Sequence, residues 1–260
     1  MGYHRAGFEV VGVDIKPQPH YPFEFHQADA LTYPLEGFDA YHASPPCQRF
    51  STLTPTYAKG RYPDLIDPIR QQLLTTGKPF VIENVPGAKH KLIDPLMLCG
   101  SMVGLPIWRH RYFEMHPPVY PMLNSCNHKL GQIEWMGEKV DVPVYISAGG
   151  DSVHGKRPSR LSVRWRPRQL FALKCSAMGI DWIPTRHELS ESIPPAYTEY
   201  IGGFLMKAVL ASKLLAPDCK PDKNVSQNDL STYSAHRKDA PLGSGSLPNF
   251  ELGEYRHDGD

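Results

Sequence analysis

One thiol in the sequence lies in a setting suited to covalent chemistry. Cys47 stands in the segment Ser-Pro-Pro-Cys-Gln at 44–48, and two prolines hold the backbone before the thiol rigidly. A lone cysteine after a strand is usually a small buried apolar side chain. The largely polar run at 49–52 follows this one, which favours a nucleophile over a structural cysteine.

A carboxylate and a pair of guanidinium groups are the next candidates. Glu83 ends an apolar run and begins Glu-Asn-Val-Pro at 83–86; at low dielectric a carboxyl can hold a proton. Arg109 and Arg111 share one face if they lie on a strand, and two guanidiniums can grip a carbonyl or a phosphate. On these residues alone, a polar strand end and a solvated edge strand stay open as alternatives.

The helices and strands predicted around these residues indicate an α/β fold. The end of a helix is expected at 2–7, and apolar residues at helical spacing predict a helix over 65–74 that Gly77 ends. Strands alternating with helices favour a parallel sheet with crossover helices. Runs typical of buried strands lie at 8–14, 23–27, 38–43 and 80–83. Ligands sit at the carboxyl ends of such strands, where the sequence places Asp14, Asp29, Cys47 and Glu83.

The second half of the chain is less regular. Residues 115–165 are rich in Pro, Gly and Asn, with one apolar run at 142–146, and a flexible loop is expected earlier at 55–63. Large apolar residues become sparse after 217, which indicates disorder. The predicted organisation is a catalytic core at 1–114, a small irregular region at 115–165, helices at 166–216 that return to the core, and a disordered tail at 217–260.

Composition narrows the classes of protein. The formal net charge of +1 makes no case for nucleic acid from the whole molecule. Five scattered cysteines without a CxxC pair argue against a disulfide framework and for a reducing compartment. No stretch approaches the roughly 20 apolar residues of a membrane span, and no signal peptide is evident. We therefore expect a cytoplasmic protein that does not enter the membrane.

Taken together, these segments resemble the DNA cytosine-5 methyltransferase family, and most closely its compact phage and prophage members, some of which belong to restriction-modification systems. The family's Pro-Cys-Gln matches 46–48, its Glu-Asn-Val matches 83–85 and its Arg-x-Arg matches 109–111. The segment at 193–202 resembles the family's last motif, which completes the cofactor site. The order and spacing agree over roughly residues 1–210.

The resemblance implies a Rossmann-like sheet, S-adenosyl-L-methionine as cofactor and methyl transfer to C5 of cytosine in double-stranded DNA by a monomer. Cys47 would attack C6 of a flipped base, Glu83 would donate to N3, and Arg111 with Arg109 would hold the base carbonyl. The implied cofactor-binding residues are Asp14, Ile15, Asp29 and Ala30. The implied substrate-binding residues are Gln48, Ser51, Asn84, Arg160 and Arg164.

Residues 115–165 would then be a small target-recognition region. Basic residues between Lys156 and Arg168, with no acid among them, form a candidate phosphate-contacting stripe that includes Arg160 and Arg164. Cys126, His128 and His154 fit no familiar zinc spacing, so no metal is expected.

The chain departs from the family's pattern at its start. It opens on Gly2–Phe8, where the family has a first strand and a Phe-x-Gly-x-Gly loop, so it is expected to be an N-terminally truncated member whose cofactor affinity is reduced. Ile107 stands where the family has Gln. A truncated, non-catalytic DNA-binding relative is therefore the alternative. A pyrimidine-nucleotide enzyme of the thymidylate synthase type, which also uses a Pro-Cys thiol, lacks the other two motifs.

Overall fold

The computed structural model describes residues 1–129, 131–135, 137–144, 146 and 167–215. Within these residues the chain forms a mixed α/β fold with eight strands in three sheets. The predicted tail at 217–260 and the basic stripe, including Arg160 and Arg164, lie outside the described residues, except for Pro167 and Arg168 at the end of the stripe.

A two-stranded parallel sheet is formed by β1 (Val11–Asp14) and β2 (Glu24–Gln27). The register pairs Asp14 with Gln27, so both strands end at the same edge. Both strands were predicted and they pair in parallel, but they form a sheet of their own, and the connection at 15–23 contains no crossover helix.

The second sheet has four strands in the order β3-β4-β6-β5. β3 (Tyr41–Ala43) pairs in parallel with β4 (Phe80–Asn84), as predicted. β6 (Arg111–His116) runs antiparallel to both β4 and β5 (Leu96–Leu98). The prediction of a uniformly parallel sheet is therefore wrong for β6. The connection from β5 to β6 holds only a short 3₁₀ helix at Gly100–Met102, and the chain returns antiparallel without a crossover helix.

Six α-helices form in the described residues, and those expected at 2–7, 65–74 and within 166–216 are among them. They are α1 (Gly2–Arg5), α2 (Thr56–Lys59), α3 (Ile66–Thr75), α4 (Pro167–Met178), α5 (Arg186–Glu191) and α6 (Pro195–Leu215). α3 ends just before Gly77, which adopts φ +62°, as expected of a glycine stop. The flexible loop expected at 55–63 is wrong where α2 forms, since Tyr, Ala and Lys follow a proline that starts the turn.

The central strand β4 separates two apolar cores. All five of its residues are buried. Phe80 and Ile82 pack on the α3 side, whereas Val81 packs with Tyr197 and Ile201 of α6. This alternation is the period of two of a strand covered on both faces.

The first and last helices of this fold pack closely together. A Cβ built on Gly2 would lie 2.1 Å from the carbonyl oxygen of Pro195 and 2.1 Å from Thr198 Oγ1. Only glycine fits this approach. The segment at 193–202, which resembles the family's last motif, therefore lies against the start of the chain.

The irregular region expected at 115–165 contains a hairpin. β7 (Gly131–Trp135) pairs antiparallel with β8 (Glu138–Val142), and Gly137 between them has φ +76°. The prediction of irregular structure is wrong here, because apolar and polar residues alternate along both strands. Val140 shares a buried core with Ile107 and with Leu173 of α4.

Candidate active site

The loop that carries Cys47 is attached to the end of β4. Asn84 donates from Nδ2 to the carbonyl oxygen of Pro45 at 3.0 Å, and its Oδ1 accepts from the Val85 backbone N–H at 2.9 Å. The carbonyl of Cys47 accepts from the N–H groups of Phe50 and Ser51 at 3.0 and 2.9 Å. The two prolines and these bonds hold the thiol at the carboxyl end of β3.

Gly87 allows the loop that carries Cys47 to pack closely against the segment that follows β4. Gly87 lies in the 3₁₀ helix at Pro86–Lys91, and a Cβ built on it would lie 2.1 Å from the carbonyl oxygen of Phe50. Phe50 is itself buried. Any side chain at 87 would therefore push the loop that carries Cys47 away from β4.

Glu83 and Arg111 form a buried ion pair beside this loop. Arg111 Nε lies 3.0 Å from Glu83 Oε1, with the two side chains 14% and 7% exposed. Burial raises the pKa of Glu83, and this effect outweighs the arginines and the Ser44 hydroxyl, which favour the ionised form. The carboxyl is thus poised to hold a proton once its pairing with Arg111 changes.

Arg109 lies close enough to Glu83 to affect its ionisation, and backbone carbonyls hold its side chain. Its Nη2 donates to the carbonyl oxygens of Ser190 and Ser192 at 2.5 and 3.1 Å, and its own carbonyl accepts from the Tyr197 hydroxyl. Burial and the neighbouring Arg111 lower the pKa of Arg109 to about 9. Among the residues that the structure describes, its buried Nε has no hydrogen-bond partner.

A chain of hydrogen bonds links Tyr3 to Glu83 through His42 and Ser44. Tyr3 Oη lies 2.6 Å from His42 Nδ1, and His42 Nε2 lies 3.0 Å from Ser44 Oγ; the Ser44 hydroxyl bonds to Glu83. Burial lowers the pKa of His42 to about 4, so the imidazole is neutral. If Tyr3 donates to Nδ1, Nε2–H donates to Ser44 and Ser44 donates to the carboxylate, which is a consistent set of roles.

The Cys47 thiol is half-buried, and its electrostatic surroundings pull in opposite directions. Burial raises the pKa of Cys47, and the Glu83 charge raises it further, whereas the Arg111 guanidinium lowers it. The resting thiol is therefore protonated at neutral pH. Neutralising Glu83 would lower the pKa of Cys47 and favour the thiolate, because the Arg111 charge would then act on the thiol without opposition from Glu83.

The acids expected to bind cofactor lie together on the other sheet. The Asp14 carbonyl accepts from the Ala28 N–H at 3.0 Å, which brings the ends of β1 and β2 side by side. Asp14 accepts from the Lys16 N–H at 2.8 Å, and Asp29 accepts from the Leu31 N–H at 2.9 Å. The Ile15 side chain is 66% exposed, so its apolar face is open to a ligand.

Gln48, Ser51 and Ala30 are the remaining predicted substrate- and cofactor-binding residues near the site, and they make few hydrogen bonds in the described part of the chain. The buried Gln48 Oε1 has no partner within the described part of the chain. Ser51 Oγ accepts from the Leu53 N–H at 3.1 Å, and the Ala30 carbonyl accepts from Gln72 Nε2 at 3.4 Å. The structure thus brings the four proposed catalytic residues together, while Asp14 and Asp29 follow the adjacent ends of β1 and β2.

The sequence did not point to several residues that build this site. Tyr3, His42 and Ser44 support Glu83, while Ser190 and Ser192 supply carbonyls to Arg109. Apart from the His42–Ser44 contact, which spans two residues, these partners lie far apart in sequence, so no local spacing could have linked them to Glu83 or Arg109. For Ser44 the position directly before the two prolines was the one available signal.

A surface cleft of about 430 Å³ lies elsewhere, at the amino ends of β1 and β2. His4, Phe23 and Glu24 are among its lining residues. Ligands of parallel sheets bind at the carboxyl ends of strands, so the cleft is not part of the site around Cys47.

Comparison with known proteins does not assign a family. No protein-family model matches the sequence, and no curated protein matches it. One solved structure that this chain resembles is described as a candidate DNA modification methyltransferase encoded within a prophage of E. coli. It is 16% identical, with a TM-score of 0.49 over 80% of this chain and 95% of that chain. At this level of similarity the match carries no argument about function.

In the described part of the chain, no helix is both long and apolar enough to cross a membrane.

Proposed function

We propose that the protein is an S-adenosyl-L-methionine-dependent methyltransferase that methylates C5 of cytosine in DNA. The observation that carries the proposal is the convergence of the Cys47 thiol, the Glu83 carboxyl and two guanidiniums at the ends of neighbouring strands. These side chains come from the three segments whose order resembles the DNA cytosine-5 methyltransferase family.

The chemistry begins with a cytosine swung out of the duplex, because C6 cannot be reached inside the stack. The Cys47 thiol loses its proton to water, the thiolate forms a bond to C6, and the electron pair of the C5–C6 double bond becomes available at C5. Glu83, protonated, donates to N3 and offsets the charge that builds on the ring. Methylation at C5 would leave the cofactor as its demethylated sulfide. Loss of the C5 proton to water then restores the double bond and expels the Cys47 thiolate, and N3 returns its proton to Glu83.

The contacts of the two arginines refine their roles. Arg111 is already engaged by Glu83 through Nε, whereas Arg109 has a buried Nε donor without a partner among the described residues. A base carbonyl would satisfy that donor, and the unpartnered Gln48 Oε1 would accept from an amino group. We therefore assign base-carbonyl binding to Arg109 and control of the Glu83 proton to Arg111. Ser51 and Asn84 position the loop around the base.

The cofactor would supply an electrophilic methyl group when bound. The paired ends of β1 and β2 fit its nucleoside half. An Asp14 carboxylate retains acceptor capacity for a ribose hydroxyl pair, and the exposed Ile15 offers an apolar surface to the adenine. Asp29 and Ala30 would receive the adenine edge.

Arg160 and Arg164 would contact DNA phosphates on the basic stripe, a role that rests on sequence. Double-stranded DNA is the proposed partner, and cytoplasmic location and action as a monomer follow the same resemblance.

Trapping on 5-fluorocytosine DNA tests the covalent step, because fluorine at C5 blocks the loss that releases the thiol. With cofactor present, the wild-type protein should form an adduct that survives denaturation, and Cys47→Ser should form none. Cys175→Ser, a change at another free thiol, is the matched control and should trap like the wild type.

Equal trapping by Cys47→Ser would refute Cys47 as the nucleophile. Binding of DNA by the wild-type protein without any trapping would instead point to a non-catalytic DNA-binding relative.

A further inference from the structure

We propose that the protein binds a structural Zn²⁺ ion through Cys99, His110, Cys126 and His128. This site is separate from the proposed methyl transfer, and its evidence stands without it. His154 lies outside the described residues, whereas the structure brings Cys99 and His110 from distant segments to Cys126 and His128.

The four ligand atoms already form a compact group. Every pair of them lies within 4.8 Å. Cys99 Sγ lies 3.4 Å from His128 Nε2, His110 Nε2 lies 3.1 Å from His128 Nε2, and Cys126 Sγ lies 3.7 Å from His110 Nε2. Tetrahedral zinc with ordinary Zn–S and Zn–N bonds needs ligand atoms roughly 3.3–3.8 Å apart. The observed separations of 3.1–3.7 Å are close to that geometry.

The chemistry of the donor set selects zinc. Two thiols and two imidazoles form the Cys₂His₂ set of closed structural zinc sites, with no position left open for a substrate. Cys99 is fully buried, and both histidines present the same kind of nitrogen, Nε2, to the centre.

Neighbouring side chains orient the ligands. The Ser101 hydroxyl donates to Cys99 Sγ at 3.4 Å and accepts from the Asn127 N–H at 3.0 Å. The Trp108 ring stacks on His128, with centroids 4.7 Å apart. Such outer contacts are what fix the ligands of metal sites.

The position of the site in the fold explains what an ion would do. Cys99 follows β5, His110 precedes β6, and Cys126 with His128 lie in the segment after β6. The segment after β6 leads to the β7–β8 hairpin. A Zn²⁺ ion would cross-link this segment to the four-stranded sheet. Because His110 lies between Arg109 and Arg111, the ion would also stiffen the backbone that carries both arginines.

The test is the zinc content of untagged protein purified under reducing conditions from zinc-supplemented cultures. We expect about one zinc per chain, falling at least about tenfold in Cys126→Ser and in His128→Ala. Cys47→Ser, a change at another half-buried thiol, should keep the full content. His128→Cys should also keep it, since Cys₃His is a competent zinc set.

Cobalt substitution of the wild-type protein provides a second readout that needs no variant to fold. Co²⁺ in this site should show the strong visible bands of tetrahedral coordination and a thiolate charge-transfer band. Wild-type protein without zinc or a tetrahedral cobalt spectrum would overturn the proposal, as would equal zinc in Cys126→Ser and Cys47→Ser. A Cys99–Cys126 disulfide found by mass under reducing conditions would do the same.

Discussion

The two parallel strand pairs present different kinds of strand end. Every residue of β4 is buried, and the acid it carries, Glu83, is held in a network of guanidiniums, hydroxyl and imidazole. All four residues of β1 are only partly buried, and Asp14 bonds to a nearby backbone N–H and a Gln side chain. Under the proposed function, the buried strand end would carry the group that moves a proton, and the more open strand end would hold the cofactor.

The largest contrast between the two regions is expected from paired isosteric changes. Glu83→Gln should lower kcat for methyl transfer by roughly 10²–10⁴-fold, because an amide cannot transfer a proton to the base. Asp14→Asn should instead raise the KM for cofactor with little change in kcat. Steady-state kinetics on cytosine-containing DNA measures both, with circular dichroism to confirm folding.

The pH profile sharpens this contrast. Burial raises the pKa of Glu83, so its protonated form is lost as pH rises through that value and the rate should fall. The Cys47 thiolate grows with pH, which gives the wild type a bell-shaped profile. Glu83→Gln should lose the descending limb and Asp14→Asn should retain it; the reverse would contradict the division of roles.

A smaller effect is expected from filling the space beside the Cys47 loop. Gly87→Ala should lower the free energy of unfolding by about 1–3 kcal/mol, because the new methyl group meets the Phe50 backbone. The matched control is Gly60→Ala, where no heavy atom lies within 4 Å, and the change should stay within about 0.5 kcal/mol. Urea unfolding gives both values, and equal values would show that the loop does not need this approach.

The smallest expected effect is the loss of unfolding free energy at low pH that His42 causes. Burial lowers its pKa to about 4, against about 6.5 in the unfolded chain. Its stabilising contribution is therefore present above pH 6.5 and is lost as pH falls toward 4. Between pH 7 and pH 5 the wild type should lose about 1–2 kcal/mol more than His42→Asn, the lower part of this range allowing for partial exposure.

Chemical unfolding at the two pH values measures this loss. His187→Asn, a change at an exposed histidine, is the control and should follow the wild type. Identical pH dependence in His42→Asn and the wild type would remove His42 from the buried network.

Local pattern predicted much of the fold. The sequence predicts helices within 166–216, and α6 forms there over Pro195–Leu215, where a long run rich in apolar residues follows a proline at the first helical position. The direction of β6 was missed, since periodicity reports which face is buried but not which way a neighbouring strand runs. The hairpin at β7 and β8 was missed although its alternation was present in the sequence.

The sequence by itself determined which side chains could do chemistry and in what order they occur: a proline-flanked thiol, an acid after an apolar strand and an Arg-x-Arg pair. Only the tertiary structure decided which of them meet. It paired Arg111 with Glu83, tied Arg109 to the carbonyls of Ser190 and Ser192, and gathered Cys99 with His128. The physical reason is that residue type and spacing report local geometry, whereas burial, pKa and ligand clustering depend on neighbours that the chain supplies from far along its length.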